Sequence, residues 1–150
     1  MSEISEIELK SCPENSPYWR DIERLFQSEW ADFKLSDNYL KDGYAKQSSL
    51  PPVLIALNKG EVIGGLSYSL YLEPHKSSEV IWVNSVFVVQ QWRGQGIASQ
   101  LLERAVQQLS NNVQHRLYAY TNIPALYTSL GWFVVDIDSE PGHQVMSIAL

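Results

Sequence analysis

Val80-Ile81-Trp82-Val83-Asn84-Ser85-Val86-Phe87-Val88-Val89 leads through Gln90 into Gln91-Trp92-Arg93-Gly94-Gln95-Gly96-Ile97-Ala98, and this stretch decides the reading of the fold. The first half is dense in β-branched and aromatic residues and predicts a buried strand. Beyond the glycines, Ile97, Leu101, Leu102, Ala105, Val106 and Leu109 recur at helical spacing among Gln, Glu and Arg, which predicts an amphipathic helix. A strand that turns through glycines into a helix aims unpaired backbone N–H groups and the positive end of the helix dipole at one spot. That spot suits phosphate. A P-loop requires Lys followed by Ser or Thr at the end of its glycine run, and none is present. A dinucleotide fingerprint requires a third glycine where this chain has Ser99.

Working outward, Ile4, Ile7 and Leu9 suggest a first strand. Ser16-Pro17 reads as a helix start, with Ser as N-cap and Pro in the first helical position, and Trp19, Ile22, Phe26 and Trp30 form its apolar stripe. Ser36-Asp37-Asn38 caps a second short helix through Tyr39 and Leu40 that ends near Gly43. After Pro51-Pro52, Val53–Leu57 is a strand that turns at Asn58-Lys59-Gly60-Glu61 into a second strand, Val62–Tyr71. A polar loop, Glu73–Ser78, returns to the central strand. Later elements are a strand at Arg116–Tyr120, a short helix from Pro124 to Leu130, and strands at Phe133–Ile137 and Gln144–Ala149. No linker or repeat interrupts this order, so one α/β (α+β) domain over residues 1–150 is expected.

Composition is compatible with a single core: 150 residues, 45% hydrophobic, with five Trp. A net charge of −6 and a pI near 5.0 argue against nucleic acid as a partner. The single Cys12 excludes an internal disulfide, and no Cys/His grouping has metal-ligand spacing, so no metal is expected. The acidic start Met1–Glu6 lacks the features of a signal peptide and no apolar run approaches membrane-spanning length. A cytoplasmic protein without a membrane partner is expected.

The glycine junction resembles the acyl-CoA signature of the GNAT superfamily of N-acetyltransferases: Gln or Arg, two residues, Gly, one residue, then Gly or Ala, here Gln91, Gly94 and Gly96. A second block, Leu126-Tyr127-Thr128-Ser129-Leu130-Gly131-Trp132, is similar to the family's later Leu-Tyr, two residues, Leu-Gly-aromatic pattern. The likeness runs from Pro52 to Trp132. It implies a mixed, mostly antiparallel central sheet with flanking helices, splayed between its fourth and fifth strands to admit the pantetheine arm as an extra strand.

By the same resemblance, acetyl-CoA is the acyl donor, held by Val86, Phe87, Val88, Gln91, Trp92, Arg93, Gly94, Gln95, Gly96, Ile97 and Ala98. Tyr127 stands where the family places the residue that protonates the departing thiolate. The family's base lies near the start of the fourth strand. Glu79 is the candidate there, one residue out of register, with Glu73 and His75 as rivals. Asn122 precedes Tyr127 by five residues where many members have a cofactor-contacting Asn at seven, so it either touches the cofactor or caps the helix begun by Pro124. The implied reaction is direct transfer in a ternary complex to a primary amine of a small molecule or peptide. The alternative is a catalytically idle acyl-CoA-binding or interaction module. Trp30, Asp32, Phe33, Asp37, Tyr39, Glu73, His75, Asp136, Asp138 and Glu140 fall in the acceptor segments and leave the acceptor open. A homodimer through the last strand, Gln144–Ala149, at a sheet edge is a further expectation.

Overall fold

The computed structural model describes residues 7–35, 50–111 and 114–150. In chain order the elements are β1 (Ile7–Cys12), α1 (Trp19–Glu29), β2 (Val53–Asn58), β3 (Glu61–Leu72), β4 (Glu79–Val88), a 3₁₀ turn (Gln90–Trp92), α2 (Ile97–Leu109), β5 (Arg116–Thr121), α3 (Pro124–Ser129), β6 (Phe133–Val135) and β7 (Gln144–Ala149). The expected helix at residues 36–43 lies outside the described residues.

The strands form one seven-stranded sheet in the order β1-β2-β3-β4-β5-β7-β6. Every neighbouring pair is antiparallel except β4 and β5, which run parallel and share only the register pairs Trp82↔Tyr118 and Val83↔Ala119. Beyond Val83 and Ala119 the two strands part, which is the expected splay. On its other side β4 stays paired with β3 as far as Gly64↔Val88, but the register slips between Ser67 and Tyr68, so Asn84 is an extra residue on β4. A bulge of this kind bends its strand and leaves one residue unpaired. The last strand, β7, is not an edge. It lies between β5 and β6, and the edge on that side is β6, so β7 is not the docking edge expected from its terminal position.

α2 packs Ile97, Leu101, Leu102, Ala105 and Leu109 onto β2, β3 and β4, the stripe its spacing predicts. Each of these Ile and Leu side chains contributes about 1.5–3 kcal/mol on full burial. α1 buries Ile22 and Phe26 on the sheet, and Gly65 makes room for it: a Cβ there would lie only 2.3 Å from Ile22 Cδ1. α1 begins later than Ser16-Pro17 suggests. The Ser16 carbonyl accepts the Trp19 N–H in a tight turn and Ser16 Oγ accepts the Tyr18 N–H, so the helical ladder starts with Tyr18 O and Ile22 N, and Tyr18 is the N-cap. Trp30 falls just past the helix, 40% exposed, and with Phe33 forms an aromatic cluster against Phe26. That cluster reaches Phe87 of β4.

Candidate functional site

The parting of β4 from β5 opens a cleft of about 680 Å³. Its walls are Val83–Val88 of β4 and Tyr120–Ile123 at the end of β5, with Trp30 and Phe33 on one side and Ala98, Leu126 and Tyr127 on the other. Alternation along a strand sends successive side chains to opposite faces. Ser85 and Phe87 therefore face the α1 side while Val86 and Val88 face the side of α2, and the cleft passes through the sheet. A second cleft, of about 1000 Å³, lies between the β3–β4 connection and the segment between β6 and β7, lined by Tyr71, Glu73, His75, Trp82, Asp138 and Glu140 among others. The two clefts share Val83, Asn84 and Tyr120, so they meet at the bulge.

At the mouth of the first cleft the glycine turn has the predicted geometry. Gly94 and Gly96 have φ of +81° and +82°, and Gly96 is the N-cap of α2, with no side chain capping it. A Cβ built on either meets nothing within 4 Å, so the demand for glycine comes from the left-handed backbone and not from packing. The first N–H groups of α2 are the orphan donors of any helix start. Arg93 anchors the turn: its Nε donates to Val88 O at 2.7 Å, and its guanidinium lies 5.1 Å from the centre of the Phe87 ring. A contact of this kind contributes about 0.5–1 kcal/mol at an exposed site. Arg93 is also the one Lys or Arg side chain lining the cleft among the described residues.

Tyr127 is buried on α3 against this cleft. Its ring meets Trp132 edge-on with centroids 5.1 Å apart, and its carbonyl accepts the N–H groups of Leu130 and Trp132, so the Leu-Gly-Trp sequence closes the helix and seats the tyrosine. Burial pushes the phenol up to about 12, partly offset by a hydrogen bond with Thr121. Asn122 does not cap α3: the N-cap is Ile123, without a side-chain bond, and the Ile123 N–H is taken by Thr121 Oγ1. Asn122 lines the cleft instead.

Of the residues the sequence singles out, Val86, Phe87, Val88, Arg93, Ala98 and Tyr127 line one cleft. Gln91, Gly94 and Gln95 are exposed just beyond its rim with Gly96, Trp92 packs partly against the core, and Ile97 is a core residue. Glu79 is not brought to the site. It opens β4 opposite Leu72, exposed, and lines neither cleft. The five residues from there to Asn84 span about 16 Å of strand. Glu73 and His75 line only the second cleft, where Glu73 Oε2 accepts the Tyr118 hydroxyl at 2.8 Å and His75 Nε2 donates to the Asp136 carbonyl at 3.0 Å. Asp37 and Tyr39 lie outside the described residues. Sequence reasoning missed Asn84, Ser85, Thr121 and His143, all at the first cleft, because only the strand pairing and the β6–β7 connection bring them there.

A sheet opened between its fourth and fifth strands, with a glycine turn and a helix N-terminus at the opening, is the architecture of acyl-CoA-dependent acyltransferases. The profile of the acetyltransferase (GNAT) family matches residues 17–132, and the chain belongs to that family. No curated protein sequence matches it significantly. Among solved structures it is similar to Arabidopsis thaliana Naa50 in complex with the bisubstrate analogue CoA-Ac-MVNAL, at TM-score 0.69 and 17% identity, covering 97% of this chain and 99% of that one. A GNAT family acetyltransferase from Elizabethkingia anophelis with acetyl-CoA bound gives TM-score 0.66 and 20% identity, with coverage of 97% and 99%. The aminoglycoside acetyltransferase meta-AAC0020 from an uncultured soil metagenomic sample, in complex with sisomicin, gives 0.63 and 17%, with coverage of 93% and 99%. No helix among the described residues is long and apolar enough to cross a membrane, and no group of three or more His, Cys, Asp or Glu among them could hold a metal ion.

Proposed function

We propose that this protein transfers the acetyl group of acetyl-CoA directly to a primary amine of a small molecule or peptide, both substrates being bound at once. The observation that carries this reading is that the two clefts have Val83, Asn84 and Tyr120 in common in their walls. A thioester entering from the glycine turn and an amine entering from the second cleft meet at the β4 bulge. Acetyl-CoA fits the first cleft by chemistry: pyrophosphate on the N–H groups that open α2 and beside Arg93, and amides of the arm along the free side of β4. When bound it supplies an activated acyl carbon.

The chain's own part is placement and charge. The β4 groups turned toward the gap align the thioester, Tyr127 offers its hydroxyl to the sulfur as the C–S bond breaks, and the aromatic wall of Trp30, Phe33 and Phe87 excludes water. The second cleft holds Glu73, Asp138 and Glu140 against one Lys76, which Glu73 already pairs at 3.9 Å. That balance favours a cationic acceptor. The similar structures include one carrying a peptide-CoA analogue and one carrying an aminoglycoside, and both acceptor types are amines of this kind.

The test is a thermal-shift titration with acetyl-CoA, CoA and ATP, followed by acetylation of spermidine, an aminoglycoside and the peptide Met-Val-Asn-Ala-Leu. Binding of acetyl-CoA raises the melting temperature according to concentration over Kd. Gly94→Ala and Gly96→Ala remain folded, since nothing obstructs a Cβ, at a cost of about 1–2 kcal/mol for the left-handed backbone. Each weakens acetyl-CoA by about tenfold or more as the turn relaxes away from phosphate. Unchanged affinity in both folded variants would refute the assignment of this turn.

A further inference from the structure

We infer that His143, on the connection between β6 and β7, is the general base that takes the proton from the acceptor's ammonium group, a reading that rests on the acetyl transfer proposed above. Glu140-Pro141-Gly142-His143 is a tight turn in which the His143 N–H donates to the Glu140 carbonyl at 3.0 Å and Gly142 takes φ +80°. Pro before a left-handed Gly is the type II pattern. The Glu140 N–H in turn donates to the Tyr120 hydroxyl at 2.9 Å, and the His143 ring stacks on Tyr120 with centroids 5.0 Å apart at 19°. Tyr120 lines both clefts, and the imidazole stacked on it lines the first.

The tautomer follows from the partner. His143 Nδ1 lies 3.3 Å from the Pro141 carbonyl, which only accepts, so Nδ1 carries the hydrogen and Nε2 carries the lone pair. Glu140 Oε1 lies 3.8 Å away on the Nδ1 side. The other charged or titratable groups around this cleft are Glu29 at the end of α1, Arg93 in the glycine turn, Tyr120 of β5 and Tyr127 of α3. Glu73 is occupied by Tyr118 and Lys76, and Glu79 lines neither cleft, so neither competes with the imidazole.

The step balances. The ammonium gives one proton to Nε2, and the neutral amine nitrogen attacks the thioester carbon. The tetrahedral adduct collapses with the C–S electron pair leaving on sulfur, and the surplus proton on the new amide nitrogen passes to that thiolate. The imidazolium returns its proton to solvent. One proton is released for each amide formed.

The experiment compares wild type with His143→Gln and His143→Asn, using spermidine and the peptide Met-Val-Asn-Ala-Leu as acceptors that are ammonium ions at pH 7, and methoxyamine as one already neutral there. Both variants should lose about 10²- to 10⁴-fold in kcat/KM on the ammonium acceptors, keep acetyl-CoA affinity, and lose less than about tenfold on methoxyamine. A limb in the pH profile present in wild type should vanish from both. Nitrogen NMR of the neutral ring should show Nδ1–H. Equal losses on both kinds of amine, no loss, loss of acetyl-CoA binding, or an Nε2–H tautomer would overturn the assignment of His143. Wild-type protein that binds acetyl-CoA but acetylates none of these amines overturns the transfer reading and the base with it.

Discussion

Replacing Tyr127 by Phe separates two roles that the sequence alone treats as one. The resemblance has this phenol hand a proton to the departing thiolate. Burial raises it to about 12, whereas a thiol lies near 8.5, so full transfer in the folded protein is uphill by about 5 kcal/mol. In the proposed reaction the hydroxyl therefore serves as a fixed hydrogen-bond donor to the charge developing on sulfur. Deleting one such donor costs about 10²- to 10³-fold in turnover, or about 2.7–4 kcal/mol. Tyr127→Phe keeps the ring and its edge-on contact with Trp132 and loses only the bond with Thr121, about 1 kcal/mol of stability. The assay is thiol release under conditions where added viscogen leaves kcat unchanged, with acetyl-CoA affinity measured by calorimetry on the same preparation. Affinity should hold, and kcat should fall by that factor at every pH up to about 11. A variant with wild-type kcat would refute the role. So would a wild-type rate that declines through pH 10 in a way the variant does not share, since the phenol would then titrate at its ordinary value.

Alkaline pH should destabilise the fold. Burial raises Tyr118 and Tyr127 to about 12 and Tyr68 further, each above an unfolded value near 10. Their stabilising contribution is complete below pH 10 and is lost as pH rises toward 12, about 1.4 kcal/mol for the well-buried Tyr127 by pH 11. Urea midpoints at pH 9 and 11 measure this, and equal midpoints would contradict it. At the β4 bulge, Ser67 and Ser85 share a buried hydroxyl–hydroxyl bond of 2.5 Å. Ser85→Ala alone should cost about 1–3 kcal/mol by orphaning Ser67, whereas the double Ala variant should recover much of it. Additive single losses in denaturant unfolding would show that the pair is not coupled.

Local signals in the chain were enough for the strands from Val53 to Val88, the helix Ile97–Leu109 and the turn at Gly94 and Gly96, because β-branched runs, helical spacing and paired glycines act within a few residues of themselves. The second block, Leu126 to Trp132, was legible for the same reason: a short helix, its closing glycine and the aromatic that packs on Tyr127 are neighbours in sequence. Where several local devices compete the reading slipped. Ser16 and Pro17 carry the signs of a helix start, yet they form the turn ahead of it, since both patterns use the same hydroxyl-to-backbone bond.

Strand neighbours, by contrast, are not written into a strand. β7 ends the chain and carries nothing that marks it as internal, but β6 adds to its outer side, and the edge moves with it. Glu79 lies close in sequence to the residues of the cleft and is carried about 16 Å from Asn84 by the extended backbone. His143, isolated in sequence, is laid on Tyr120 by a turn whose partners come from another strand. Which segments extend, which coil and where a glycine turn opens a helix could be read from the chain, because those depend on backbone preference and short-range burial. Which strands part, where the two clefts join and which titratable side chain faces the joint were decided only by tertiary structure, because long-range pairing and packing fix those positions and no local pattern records them.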